Sequence, residues 1–246
     1  MTEDQDNRTV LLIGSAPNAV LAQDVARDAV SNIVAINNAW RIRPDWTYSI
    51  FPDDFDEALR PVPNGTQKLI RSEVYVPANN QFGGIVYAWA TMAFTAAYWA
   101  LAHLKPKTIV FAGCDMVYDT EKTHFYGVGK PDPLRHDPTL QNLKAKAIRF
   151  EAIANWQGCA CLNLTDRTES NLTYEKVDAG ILNERNGTIF NHNSSAAFTS
   201  SQVDSILAAE KALGAYYPDG MYWNAANPPK FEDLKQIDDM WYALRR

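Results

Sequence analysis

His124 is the residue in this chain best suited to proton chemistry. It stands in the run THFYG between Thr123 and an aromatic pair, Phe125 and Tyr126, with Gly127 after it. An imidazole titrates near neutral pH and can accept a proton from a hydroxyl. A lone histidine among aromatics is as often a hydrogen-bonded structural residue, so its meaning depends on what surrounds it. Nine residues upstream, Gly113, Cys114 and Asp115 end an apolar run. Asp115 is suited to fixing that turn or orienting the histidine. A second polar group is the pair Asn37–Asn38. Adjacent carboxamides donate and accept hydrogen bonds in a plane, which suits a pyrimidine base or a sugar hydroxyl, or equally the capping of a turn. The run Gly14-Ser15-Ala16-Pro17-Asn18 is a third, a tight turn able to aim backbone N–H groups at a phosphate. Gly83–Gly84 offers close backbone approach to a ligand. Asp53 is placed for an acceptor or ribose contact, and Arg135 for a carboxylate or phosphate.

These groups need a scaffold that brings distant loops to one edge. TVLLIG, NIVAINNAW, DWTYSIF, EVYVP, TIVFAG and CACLNL are six strand candidates, several of them continuous apolar runs of the kind buried on both faces of a parallel sheet. Between them lie helical patterns: Ala19 to Val30, a long aromatic-rich run from Gly84 to Leu104, and a helix with Asp137 as N-cap and Pro138 as first residue. That helix carries a stripe of Leu140, Leu143, Ala147 and Ala154 and ends before Gly158. Residues 165–200 read as polar loops, and two further amphipathic helices follow, the last with Phe231, Leu234, Ile237, Trp241 and Leu244 on one side. Alternating strands and helices predict a doubly wound, mostly parallel Rossmann-like α/β sheet in a single domain, with a core over about residues 9–164 and a helical extension over 165–246. In that fold the strand ends carrying GSAPN, NNAW, FPDD and GCDM share one edge, with His124 just beyond.

Composition narrows the partners. The chain has 246 residues, a net charge of −6 and a pI near 5.2, which argues against a general nucleic-acid or anionic-membrane surface. No uninterrupted apolar run reaches the ~18 residues of a membrane span, and the polar start MTEDQDNRT does not resemble a signal peptide, so a cytoplasmic location is expected. Cys114, Cys159 and Cys161 lack CxxC spacing and read as reduced core thiols. Six Asn-x-Ser/Thr sequons read as polar loops. His103 falls in the apolar helix and reads as core, His136 as a helix-start residue, and His192 has no assigned role. The GSAPN turn lacks GxGxxG and the Walker lysine, so it is neither a dinucleotide fingerprint nor a P-loop. No metal site is expected.

The order GSAPN, NNAW, IVFAGCDM, THFYG, then a helix and a CLNLT strand resembles the bacterial lipooligosaccharide sialyltransferases of glycosyltransferase family 42, their phage-encoded relatives, and the broader group with a GxGPS-type turn. The resemblance covers roughly Val10 to Leu172. It implies a CMP-sugar donor and a carbohydrate acceptor, with His124 as general base on the acceptor hydroxyl. It also places Asn37, Asn38, Gly14, Ser15, Ala16, Asn18, Gly113 and Asp115 around the nucleotide. Where the family has a Ser-Gly donor contact, Gly83–Gly84 stands about three helical turns early. The family's long lid, with tyrosines that assist the departing phosphate, is here only the VYDTEK segment. Tyr118 and Tyr126 are its local candidates for that role. The scheme needs no cofactor or metal. Two alternatives stay open: a pterin pyrophosphokinase-like enzyme using ATP and magnesium, and a non-catalytic nucleotide or carbohydrate binder. The aromatic-rich helices are compatible with a homo-oligomer.

Overall fold

The structure, a computed structural model, describes residues 8–88, 91–118, 122–128, 135–184 and 198–245. Seven parallel strands form one sheet in the order β4-β3-β2-β1-β5-β6-β7. They are β1 Thr9–Ile13, β2 Asn32–Ile36, β3 Tyr48–Ile50, β4 Lys68–Ile70, β5 Thr108–Ala112, β6 Ala160–Leu164 and β7 Glu175–Val177. The helices are α1 Ser72–Asn80, α2 Ile85–Ala88, α3 Met92–Leu104, α4 Leu143–Trp156, α5 Ala179–Glu184, α6 Ser200–Leu213 and α7 Phe231–Ala243. The expected α/β class and the helical C-terminal part are both present. No described helix is long and apolar enough to cross a membrane.

The central strands are apolar throughout because both of their faces are covered. Side chains alternate by two along a strand. Leu12, Val34 and Phe111 therefore pack toward α3 and α4, while Leu11, Ile13, Ile33 and Ala112 enter the opposite layer. Outside α4, a third cluster packs α6 and α7 through Val203, Leu234 and Trp241. Arg149 anchors this outer layer. Its guanidinium is fully buried and binds Glu210 of α6 in bidentate fashion at 2.7 and 2.8 Å, while Trp241 of α7 donates to the same carboxylate at 2.7 Å. Each buried charge is thus paired, as burial requires.

Several local expectations are corrected. The segment 19–30 is not an α-helix but two 3-10 turns, Pro17–Asp24 and Arg27–Ala29. Arg43 explains part of this, because its Nη1 donates to the carbonyls of Ala22 at 2.9 Å and Val25 at 2.6 Å, taking acceptors that a continuing helix would use. EVYVP is not a strand: it lies inside α1, and the fourth strand is Lys68–Ile70. The long helix is divided into α2 and α3, with residues 89 and 90 outside the described set. Asp137 caps only a short turn, Pro138–Leu140, and Asn142 is the true cap of α4, accepting from Ala145 N at 3.0 Å. The predicted polar loops contain β7 and α5, and residues 185–197, including His192, lie outside the described residues. All three cysteines are free and buried, and the sequon residue Asn163 is wholly buried in β6, the strand expected at CACLNL. His103 is exposed, stacked on Trp99, rather than core.

Candidate functional site

The chain reverses its direction of winding between β1 and β5: β2, β3 and β4 extend to one side, β6 and β7 to the other. In open α/β sheets this divergence opens a crevice beyond the strand ends. Here Gly14 follows β1 and Gly113 follows β5, and the two turns touch. Gly14 N donates to Ala112 O at 2.8 Å, and Ala16 N to Gly113 O at 3.0 Å. A Cβ on Gly14 would lie 2.4 Å from Gly113 O, and one on Gly113 would lie 2.3 Å from Ala19 Cβ. Both positions therefore require glycine.

The crevice is a cavity of about 190 Å³. Gly14, Ser15 and Ala16 line one side, Asn37 and Asn38 another, and Gly113 lies between them. Tyr118, His124 and Tyr126 close the remaining side. Nine of the expected residues thus meet in one place. Asn38 is almost wholly buried, and the Oδ1 atoms of both Asn37 and Asn38 are shielded with no hydrogen-bond partner in the protein. A buried acceptor left unpaired costs about 1–3 kcal/mol, a cost that a small turn of either carboxamide toward the cavity would relieve by meeting a donor from outside the chain. Asn37 sits at φ 51° and Met116, also in the lining, at φ 55°. Left-handed backbone at a non-glycine residue is strained and concentrates at functional sites.

His124 heads a tight hairpin in which it and Gly127 exchange both backbone hydrogen bonds, at 3.0 and 3.1 Å. Phe125 N donates to Ser15 O at 3.0 Å, tying the hairpin to the first turn. The His124 ring stacks on Tyr126, with centroids 4.9 Å apart, and its Nδ1 is 2.9 Å from Thr123 Oγ1. Partial burial holds its pKa below the ordinary 6.5, so the ring is neutral at pH 7. In the tautomer whose Nδ1–H donates to Thr123, Nε2 keeps a lone pair for a substrate proton.

Other expected residues lie elsewhere. Asn18 and Asp115 are buried behind the cavity wall, not in its lining. Asp115 Oδ2 accepts from Asn18 Nδ2 at 2.7 Å and from Thr165 Oγ1 at 3.0 Å, and its Oδ1 accepts from Asn163 Nδ2 at 3.0 Å. It pins β1, β5 and β6 together, and none of these contacts reaches His124. Gly83 and Gly84 are remote from the crevice, beside Arg149 and Tyr216 respectively. Asp53 is exposed and held by Ser72 and Arg71, and Arg135 is exposed and pairs with Asp137 at 3.4 Å. His136 is exposed as well, its ring tilted against Phe231.

What takes the place of the glycine pair is the start of α3. Thr91, Met92 and Ala93 line the cavity. Thr91 is the N-cap residue but gives its helix no side-chain cap, its hydroxyl lying 3.4 Å from Met116 Sδ instead. An α-helix of 13 residues whose first N–H groups lack such a cap favours an anion there. Phe55 and Thr123 also enter the lining and were not singled out from sequence. Among the described residues no group of three His, Cys, Asp or Glu side chains could hold a metal ion. Comparison with protein-family models, with curated proteins and with solved structures gives no match to this chain.

Proposed function

We propose that this protein is a metal-independent glycosyltransferase, sialyltransferase-like, which moves a sugar from a CMP-activated donor to an acceptor hydroxyl. The observation that carries this reading is the pair of shielded, unpartnered oxygens on Asn37 and Asn38 in the same cavity as a neutral His124. The exocyclic amine of cytosine and a ribose hydroxyl are donors of the kind those oxygens lack. A cavity of about 190 Å³ is smaller than the ~300–1,000 Å³ of most ligand pockets, so it takes the nucleoside part and leaves the sugar at the mouth beside His124.

In this scheme the acceptor hydroxyl gives its proton to His124 Nε2 as its oxygen bonds to the anomeric carbon. The bond from that carbon to the phosphate oxygen breaks, and CMP departs with the electron pair. Negative charge grows on the phosphate, where the Gly14–Ala16 turn and the start of α3 supply backbone N–H groups. Tyr118 and Tyr126, both in the lining, are the hydroxyl donors nearest to hand. Calorimetric titration with CMP, ATP and GDP tests the first requirement: no heat with CMP sinks the proposal. Hydrolysis of CMP-sialic acid by wild type and His124→Ala tests the second. CMP binding without any turnover in the wild type would identify a nucleotide binder instead.

A further inference from the structure

At the opposite edge of the sheet, where β1 and β5 begin, two more cavities of about 430 and 500 Å³ open side by side and share Gln81, Phe82 and Gln157 in their linings. The C-cap residues of four helices line them: Gln81 of α1, Lys105 of α3, Gln157 of α4 and Gly214 of α6. Many of the carbonyls at these helix ends are already taken, Asn79 O by the amides of Phe82 and Gly84, Ala154 O by those of Gln157 and Cys159, and Lys105 O by Arg8, so the polar groups the linings add for a ligand are the carboxamides of Gln81 and Gln157. Two aromatic rings stand at the side of the groove, Trp156 at 45 % and Tyr216 at 48 % exposure. One edge of the Tyr216 ring lies against Gly84, where a Cβ would meet it at 2.9 Å, so the double glycine seen in the sequence borders this groove and not the crevice. Such rings pack against the C–H face of a pyranose.

The charge of the groove is opposite to that of the chain. Arg8, Lys105, Lys107 and Lys211 line it, and the ammonium groups of the three lysines make no ion pair among the described residues. The only carboxylate in either lining, Glu210, is held by Arg149. Lys105 also sits at φ 46°. Only three described non-glycine residues have positive φ, and the other two line the crevice. A C-cap in this conformation ordinarily takes glycine. Keeping a lysine there against strain is the pattern of a ligand site.

We propose that this groove binds a short acidic oligosaccharide, with sugar faces on Trp156 and Tyr216, hydroxyls on the carboxamides of Gln81 and Gln157, and a carboxylate on Lys105 and Lys107. Single-stranded nucleic acid also pairs cations with aromatic rings. It is disfavoured here because DNA has few hydroxyls to give the carboxamides of Gln81 and Gln157. The site needs no assumption about chemistry at the crevice.

The test is fluorescence titration of the full chain with hyaluronan octasaccharide, neutral maltooctaose and an eight-nucleotide oligo-dT. Hyaluronan is expected to bind best, more weakly as salt rises, and equally well with CMP present. Trp156→Ala should weaken it roughly three- to tenfold. Lys105→Gly with Lys107→Gln should do likewise while leaving the melting temperature unchanged or higher, since glycine relieves the strained cap. The proposal is overturned if hyaluronan does not bind at millimolar concentration, if maltooctaose binds equally well, if oligo-dT binds more tightly, or if both variants bind as wild type.

Discussion

The backbone N–H of Phe125 donates to the carbonyl of Ser15 at 3.0 Å, so the hairpin that presents His124 and the turn that follows β1 are one mechanical unit. Anything that seats on the turn should steady the hairpin. Saturating CMP is therefore expected to slow amide hydrogen exchange in residues 122–128 by at least about tenfold, about 1.4 kcal/mol of added local stability. Exchange in the hairpin that is indifferent to CMP would refute this coupling.

His124 should set the acid limb of any transfer activity. Its pKa is held below 6.5 by burial, and the active form is the neutral one. Turnover should thus be flat at neutral pH and fall as pH drops through a value under 6.5. His124→Ala should lower turnover by about 10²- to 10⁴-fold and leave CMP affinity within a few-fold. A variant with wild-type turnover removes the histidine from the reaction.

Asn38 should show a conflict between stability and binding. Its Oδ1 is shielded and has no partner in the protein. Asn38→Leu removes that unpaired acceptor, so thermal unfolding should show a stability unchanged or raised by about 1 kcal/mol. CMP affinity should fall at least about tenfold. A variant that melts far earlier and binds CMP normally would mean the carboxamide serves the fold.

Much of this architecture is legible in the chain because β1, β2, β5 and β6 are buried on both faces and must be continuously apolar. The convergence of the GSAPN turn and Asn37–Asn38 then follows from adjacent parallel strands ending at one edge, while His124 is held there by the bond from Phe125 N to Ser15 O. What escapes is decided by tertiary partners. EVYVP has the composition of a strand, yet Arg71 O takes the amides of Val74 and Tyr75 and starts a helix. β7 is an edge strand with exposed Glu175 and Lys176, so it shows no apolar run. Gly83–Gly84 suggests close approach to a ligand, whereas the folded chain sets the pair beside Arg149 and Tyr216. The left-handed turn at Met116 has no mark in residue type at all.

Asp115 should matter to stability far more than to ligand binding directly. Its carboxylate receives Asn18, Asn163 and Thr165 at 2.7 to 3.0 Å, all in the interior behind the crevice. Asp115→Ala removes their common acceptor, although Asn18 Nδ2 keeps Thr165 Oγ1 at 2.9 Å and Asn163 Nδ2 keeps Ser170 Oγ at 3.1 Å, and should cost about 2 kcal/mol, lowering the melting temperature by roughly 4–8 °C for a chain of this size. Asp115→Asn, which keeps one accepting oxygen, should lose less. Equal melting of wild type and Asp115→Ala would show that the neighbouring groups find other partners.

Glu151 on α4 should make the protein less stable as pH rises toward neutrality. Its carboxyl is buried against α7 and pairs with Arg245, yet desolvation outweighs that attraction and pushes its pKa from 4.5 up to about 7. The folded state therefore holds a proton that the unfolded chain releases near pH 4.5. Its contribution is fully present below about pH 4.5 and is lost as pH climbs through about 7, a change on the order of 3 kcal/mol. Glu151→Gln cannot titrate, so the difference in unfolding free energy between wild type and variant isolates this one group, with every other carboxylate cancelling. Denaturant unfolding at a series of pH values from 4 to 8 should show wild type losing ground to the variant across that window. Parallel curves would mean that Glu151 is ionised throughout and that its pairing with Arg245 dominates its burial.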